Sequence, residues 1–254
     1  MKLLPRRRER RTTMTVVEHL EELRARLLVS IIAVAVGAVG GWLLFDSVMD
    51  LLRGPFCNAV NALPKAQQPP TGCALIFSGP VEPFLIKLKV VAFLGLGLAL
   101  PVVLWEFWAY ITPGLTKKER RLAVPFVACS LVLFALGGWL AFLTLPKGLQ
   151  FLLGFAGGDF VALLSASRYV GFVMLLTLAF GLSFEFPLVL IFLAKVGIVS
   201  SRQLRGFRRY AILVIAVFAA VITPSQDPYT MFAMMLPMVI FYEAAILVIR
   251  LMKR

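Results

Sequence analysis

The sequence predicts an all-α, polytopic membrane protein with six transmembrane helices, both termini on the cytoplasmic side, and kinked helices that shape a concave face. Three observations carry this expectation. The first is composition. Apolar residues make up 60% of the 254 positions, charged residues only 15%, and mean hydropathy is +0.90. A soluble domain carries about 25% charged residues. The second is a series of long apolar runs, most of them long enough as helices to cross a hydrocarbon layer about 30 Å thick. The third is the placement of the 26 Lys and Arg: eight in residues 1–26, four in 116–121, five in 195–209 and three in the last five residues. The other six (Arg53, Lys65, Lys87, Lys89, Lys147, Arg168) are spread over two intervening gaps. Basic-rich and basic-poor gaps alternate, and Lys/Arg-rich loops stay in the cytoplasm. The pI near 10.2 does not point to nucleic acid, because the charge flanks apolar runs and builds no single basic face. Attraction to anionic lipid headgroups accounts for it.

Taken in order, residues 1–13 form an Arg-rich tail without apolar periodicity, read as disordered, ahead of one membrane domain over 14–254. Thr15–Glu18 spells a capping box, and Val16, Leu20, Leu23 and Leu27 recur at helical spacing. This predicts an amphipathic helix at the inner interface leading into span one, about 27–45. That run is too long for a signal-peptide core and lacks a small-residue cleavage pattern, so it reads as a retained span. Residues 46–86 hold Pro55, Pro64, Pro69, Pro70 and Pro80 and read as an outside segment of short surface helices.

Span two, about 88–112, ends in the aromatic belt Trp105, Phe107, Trp108, Tyr110. The inside loop Pro113–Arg121 follows, then span three (about 122–145), an outside loop (146–167) and span four (about 169–194). After the basic segment Lys195–Arg209 come 13 apolar positions, 210–222. As a helix they reach roughly 20 Å, short of a full crossing. The turn Thr223–Pro228 leads to the last run, 229–249. This pair either crosses twice, the reading preferred here, or forms a re-entrant hairpin. Pro101, Pro125 and Pro237 interrupt spans, which fits either helices curved around a cavity or ordinary packing irregularity. No strong internal repeat supports an inverted-repeat transporter.

Ionisable residues inside spans are costly and mark function by default. Glu185, in the stretch L-S-F-E-F-P of span four, is the sharpest case. Pro187 two residues later frees the carbonyl of Ser183. The alternative is a protonated Glu hydrogen-bonded to a neighbour for packing. Glu106 and Glu243 lie nearer an interface, where packing is at least as good a reading. Glu22 and Glu119 are acids set among bases at the inner surface, a pattern suited to a cationic ligand. The plainer readings are an i,i+4 pair of Glu22 with Arg26 and a solvated loop charge at Glu119. Cys57 and Cys73 share the first outside segment and form either a disulfide or two free thiols, while Cys129 lies within a span. There is no G-x-x-x-x-G-K-[S/T], G-x-S-x-G or H-E-x-x-H, and the single His19 cannot make a His-rich metal site. Neither cofactor nor metal is expected.

Five stretches in order resemble the TatC family, the core membrane subunit of the twin-arginine protein translocase. They are E-H-L-E-E-L-R-A-R-L at 18–27, F-W-A-Y-I-T-P-G-L at 107–115, K-K-E-R-R at 117–121, F-G-L-S-F-E-F-P at 180–187 and I-T-P-S-Q-D-P at 222–228. The resemblance runs from about residue 14 to the end. It implies a multi-pass protein of the prokaryotic inner membrane that binds twin-arginine signal peptides at its cytoplasmic face. It also implies small single-span TatA/TatB-type partners, self-association in a complex, and export of folded cargo on the proton-motive force. Residue by residue, the family motifs put signal-peptide binding on Glu22, Glu119, Arg24 and Arg121. They put intramembrane and partner contacts on Glu185, Pro101 and Tyr110, and outside-loop positions on Pro55, Phe84 and Asp227. The chain departs from the family in two places. Its turn at 223–228 is one residue longer than the common T-P-x-D form, and Met231 stands where a Gln is often found. The tail R-R-R-E-R-R at 6–11 lacks the apolar core of a twin-arginine signal and reads as a lipid-binding arm. Two rivals are a proton-coupled transporter with Glu185 as its proton site, and a membrane enzyme.

Overall fold

The computed structural model describes residues 16–111, 123–155, 164–224 and 227–252. Eight helices are found among them: α1 (Val16–Asn61), α2 (Glu82–Ile111), α3 (Ala123–Gly154), α4 (Ala166–Phe184), α5 (Phe186–Lys195), α6 (Ser201–Gly206), α7 (Arg208–Ile222) and α8 (Pro228–Leu251). The described residues contain no strand, only one isolated bridge between Ile76 and Ser165. The all-α expectation therefore holds. Five helical stretches are long and apolar enough to cross a membrane: α1, α2, α3, α4 with α5, and α8. Helix α7 has 15 residues, about 22 Å at 1.5 Å per residue.

The largest departure from expectation is α1. Its 46 residues form one helix, about 69 Å long. The amphipathic entry and span one are continuous, and residues 46–61 extend the same helix; they do not form separate surface helices. Pro55 lies inside it, where a proline removes one backbone donor and crowds the carbonyl four residues earlier. Tertiary packing outweighs that loss, because Phe56, Ala59 and Val60 are buried just beyond it. The Phe56 ring meets Tyr169 of α4 at 5.4 Å, and the Tyr169 hydroxyl donates to the Leu52 carbonyl at 2.6 Å. Through the middle of α1, Ile32, Val36, Val39 and Leu43 are exposed, as lipid-facing positions should be.

Helices α1 and α2 touch backbone to backbone. A Cβ on Gly95 would lie 2.8 Å from the Val34 carbonyl oxygen, and one on Gly37 only 2.5 Å from that of Gly95. Small residues permit such approach where no water drives helices together. Helix α3 runs nine residues past its expected end, through Pro146 to Gly154. The helix ends on this side of the bundle are then tied together. Ile76 pairs with the start of α4, its N–H donating to the Leu164 carbonyl (3.3 Å) and its carbonyl accepting from Ala166 N–H (2.8 Å). The Glu82 carboxylate accepts from the Ser165 hydroxyl, Ser167 N–H and Ser78 N–H. Span four, expected as one run over 169–194, breaks at Glu185, and Pro187, read in sequence only as freeing the Ser183 carbonyl, sits in the first turn of α5. The main core joins Val60, Val90, Leu145, Tyr169, Phe180, Met234 and Ile249, from α1 through α8.

Candidate functional site

At one end of the bundle, the first turns of α1 meet the last turns of α2. Helical spacing puts Glu22 one turn before Arg26, and Arg26 donates to Glu22 Oε1 through Nη2 (2.6 Å) and Nε (3.0 Å). The other arm of the guanidinium, Nη1, donates to Glu106 Oε2 at 2.9 Å. The three side chains are 18–22% exposed, so their attraction is screened less than that of a surface pair. Glu22 Oε2 is buried without a hydrogen-bond partner. One turn nearer the ends, His19 stacks on Tyr110 with centroids 4.5 Å apart. Two carboxylates around one guanidinium leave this cluster with one excess negative charge and one unused acceptor.

The pairing of Glu22 with Arg26 follows from their spacing; the part played by Glu106 does not. In sequence Glu106 read as an interfacial packing acid, 80 residues from its partner. The signal that could have found it is position: both Arg26 and Glu106 sit at the edge of an apolar run. Arg24 is exposed on α1. Glu119 and Arg121 lie outside the described residues, in the segment that joins α2 to α3.

The second group sits deeper. Trp108 Nε1–H of α2 donates to Ser130 Oγ of α3 at 2.9 Å. Ser130 in turn donates to Glu185 Oε2, at the α4–α5 break, at 2.7 Å. Glu185 Oε1 is buried and unpartnered. Trp108 is fixed by edge-on contacts with Phe126 and Phe192. On its other side Glu185 borders a largely apolar cavity of about 550 Å³, bounded by Leu182, Phe186, Phe207, Tyr210 and Tyr242.

The remaining expected positions are scattered. Pro101 is exposed within α2, and Tyr110 belongs to the Glu22–Arg26–Glu106 end through His19. Pro55 is buried in the last turns of α1, whereas Phe84 is 61% exposed at the start of α2. Cys57 and Cys73 are both free thiols. Asp227 is 2% exposed and caps α8, accepting from Thr230 N–H at 2.8 Å and from the Thr230 hydroxyl. Both of its acceptor oxygens are used within its own turn.

Long lipid-facing helices with one ion cluster at an interface and one carboxylate at depth define a multi-pass membrane protein. The family model for Sec-independent protein translocase protein (TatC) matches residues 18–237. A TatC of Frankia casuarinae is 43% identical over 241 residues, covering 92% of this chain and 65% of the relative. The TatC of Aquifex aeolicus is 36% identical over 244 residues, covering 95% of this chain and 97% of the relative. The chain thus spans just under two thirds of the first relative and nearly all of the second. A crystal structure of a twin arginine translocase receptor, TatC, matches with a TM-score of 0.73 at 36% identity, over 93% of this chain and 100% of that one. The chain belongs to the TatC family of protein translocase components. Members are multi-pass proteins of the prokaryotic inner membrane and act in transport, not as enzymes.

Proposed function

We propose that the inner-surface acids receive the paired arginines of twin-arginine signal peptides. In this reading the chain has six spans with both termini inside, α7 being the short fifth crossing. It nucleates a complex with small single-span TatA/TatB-type subunits, self-associates, and exports folded cargo on the proton-motive force. One observation carries the receptor role: Glu22 offers a buried carboxylate oxygen with no donor, beside an arginine that already has a second acid. A carboxylate takes a guanidinium in a planar, two-bonded fork that an ammonium cannot match. An incoming arginine bonds Glu22, and Arg26 gives up that hold while keeping Glu106. Glu119 supplies the second carboxylate, with Arg24 and Arg121 repelling stray cations nearby.

Glu185 serves a later step. One of its oxygens closes the Trp108–Ser130 chain, the other has no partner, and the residue lines a largely apolar cavity. A mostly apolar helix with one polar group, from an inserted peptide or a partner, matches that combination. The test of the receptor role is photo-crosslinking from a twin-arginine signal peptide to the protein in membranes. A crosslink that vanishes in the Glu22→Ala/Glu119→Ala double variant, and when the peptide's arginine pair is changed to lysines, is the expected result. No crosslink with the unaltered protein overturns the reading.

A further inference from the structure

We propose that Lys87 and Asp46 form a headgroup site for one phosphatidylethanolamine molecule, on the groove between α1 and α2. Register brings the two residues together. The helices run antiparallel, and a Cβ on Gly41 would lie 2.8 Å from the Val91 carbonyl oxygen. Four residues earlier in α2, Lys87 reaches two rings of α1. Its Nζ lies 4.3 Å from the centroid of the Trp42 indole and 5.0 Å from that of the Phe45 ring. Asp46 follows Trp42 by four residues, so the two share a face of α1. Both charges also stand at the ends of apolar runs. Asp46 closes the run 27–45, and Lys87 precedes the span expected over 88–112. This is the level at which a hydrocarbon core gives way to headgroups.

Neither charge is used inside the protein. Among the described residues Lys87 has no hydrogen-bond acceptor, and the ion pairs are made by Arg26, Arg53 and Arg208. The ring faces attract the ammonium but offer its three N–H donors no lone pair. Asp46 is exposed and takes no described donor. Two opposite charges therefore share one surface without closing on each other. A charge at the lipid boundary is costly unless paired, and a headgroup that carries both signs pairs both. In phosphatidylethanolamine the phosphate accepts from Lys87 and the primary ammonium donates to Asp46. Its acyl chains lie along the exposed stripe Leu43, Val39, Val36 and Ile32, which continues from Trp42 along α1. An anionic headgroup without an amine meets Asp46 as a like charge, and a quaternary ammonium has no N–H to donate. The site requires only that α1 and α2 lie in a bilayer, whichever side this end of the bundle faces.

The experiment is lipid binding by the purified full chain, titrated with phosphatidylethanolamine, phosphatidylglycerol or phosphatidylcholine of identical acyl chains and read by native mass spectrometry. The expected result is one retained phosphatidylethanolamine, held roughly fivefold better than either of the others, the scale of one exposed ion pair. Asp46→Asn should erase that preference and leave a weaker binding of all three lipids through Lys87. Lys87→Met should lower the binding of all three. Lys89→Met, two residues on and bonded to the Ser167 hydroxyl at 3.3 Å, should change nothing. Circular dichroism checks that each variant keeps its helix content. Equal retention of the three lipids by the unaltered chain overturns the site. So does a preference that survives Asp46→Asn in the folded chain. A loss in Lys89→Met as large as that in Lys87→Met overturns it as well, because it would mean diffuse attraction to any cation at this end.

Discussion

The end of this bundle that carries Glu82 and Asp227 treats its acids differently from the end that carries Glu22 and from the break at Glu185. In the first, Glu82 takes three donors from Ser78, Ser165 and Ser167, and Asp227 takes two from Thr230. In the others, Glu22 and Glu185 each keep one buried oxygen without a partner. Fully bonded acids fix a shape; a buried acceptor left open costs about 1–3 kcal/mol and persists where something else must supply the donor. On the reading proposed above, the contrast separates the acids that build the molecule from those that serve a ligand.

Four variants would break or sharpen that contrast. The largest effect is expected from Glu185→Ala: export falls to background while signal-peptide docking is kept, measured by cargo appearance outside the cell beside crosslinking at the inner face. Docking lost along with export would merge the two sites into one. Glu22→Ala should weaken peptide affinity by about 10- to 100-fold, the worth of one charged hydrogen bond, with melting temperature nearly unchanged, because Arg26 keeps Glu106. Asp227→Ala should do the reverse. It costs about 1–2 kcal/mol of stability through the lost helix cap and leaves peptide affinity alone; weakened binding in a folded Asp227→Ala protein would blur the division. The smallest effect is expected from Arg26→Met, a rise in affinity of about two- to fivefold as the resident guanidinium stops competing, set against the few tenths of a kcal/mol typical of helical ion pairs. A drop in affinity would make Arg26 a support for the site instead of a competitor.

Much of this was legible in the sequence, because it depends on local pattern. The apolar runs and the alternation of basic gaps give the helices. The four-residue spacing gives Glu22 with Arg26, and Pro187 marks the lost helix hydrogen bond but not the break that the structure puts at Glu185. What the sequence hid depends on helices meeting far along the chain. Glu106 joins Arg26 only because Gly37 and Gly95 let α1 and α2 close up. The relay from Trp108 through Ser130 to Glu185 needs three elements at once. Pro55 misleads for the same reason. Locally it marks a helix end, but the burial of Phe56 and Val60 against the rest of the bundle carries α1 on for another turn and a half.

The unbroken length of α1 has a mechanical meaning. Glu22 near one end and Phe56 near the other belong to a single rod, so the helix works as a lever. For a rod about 69 Å long, a tilt of about 1° at the Glu22 end moves the far tip by about 1 Å. That displacement is comparable to the slack in a packed interface. On the receptor reading proposed above, a peptide that pulls on Glu22 does work at the far end of the bundle, around Phe56, without any intermediate loop having to carry the message.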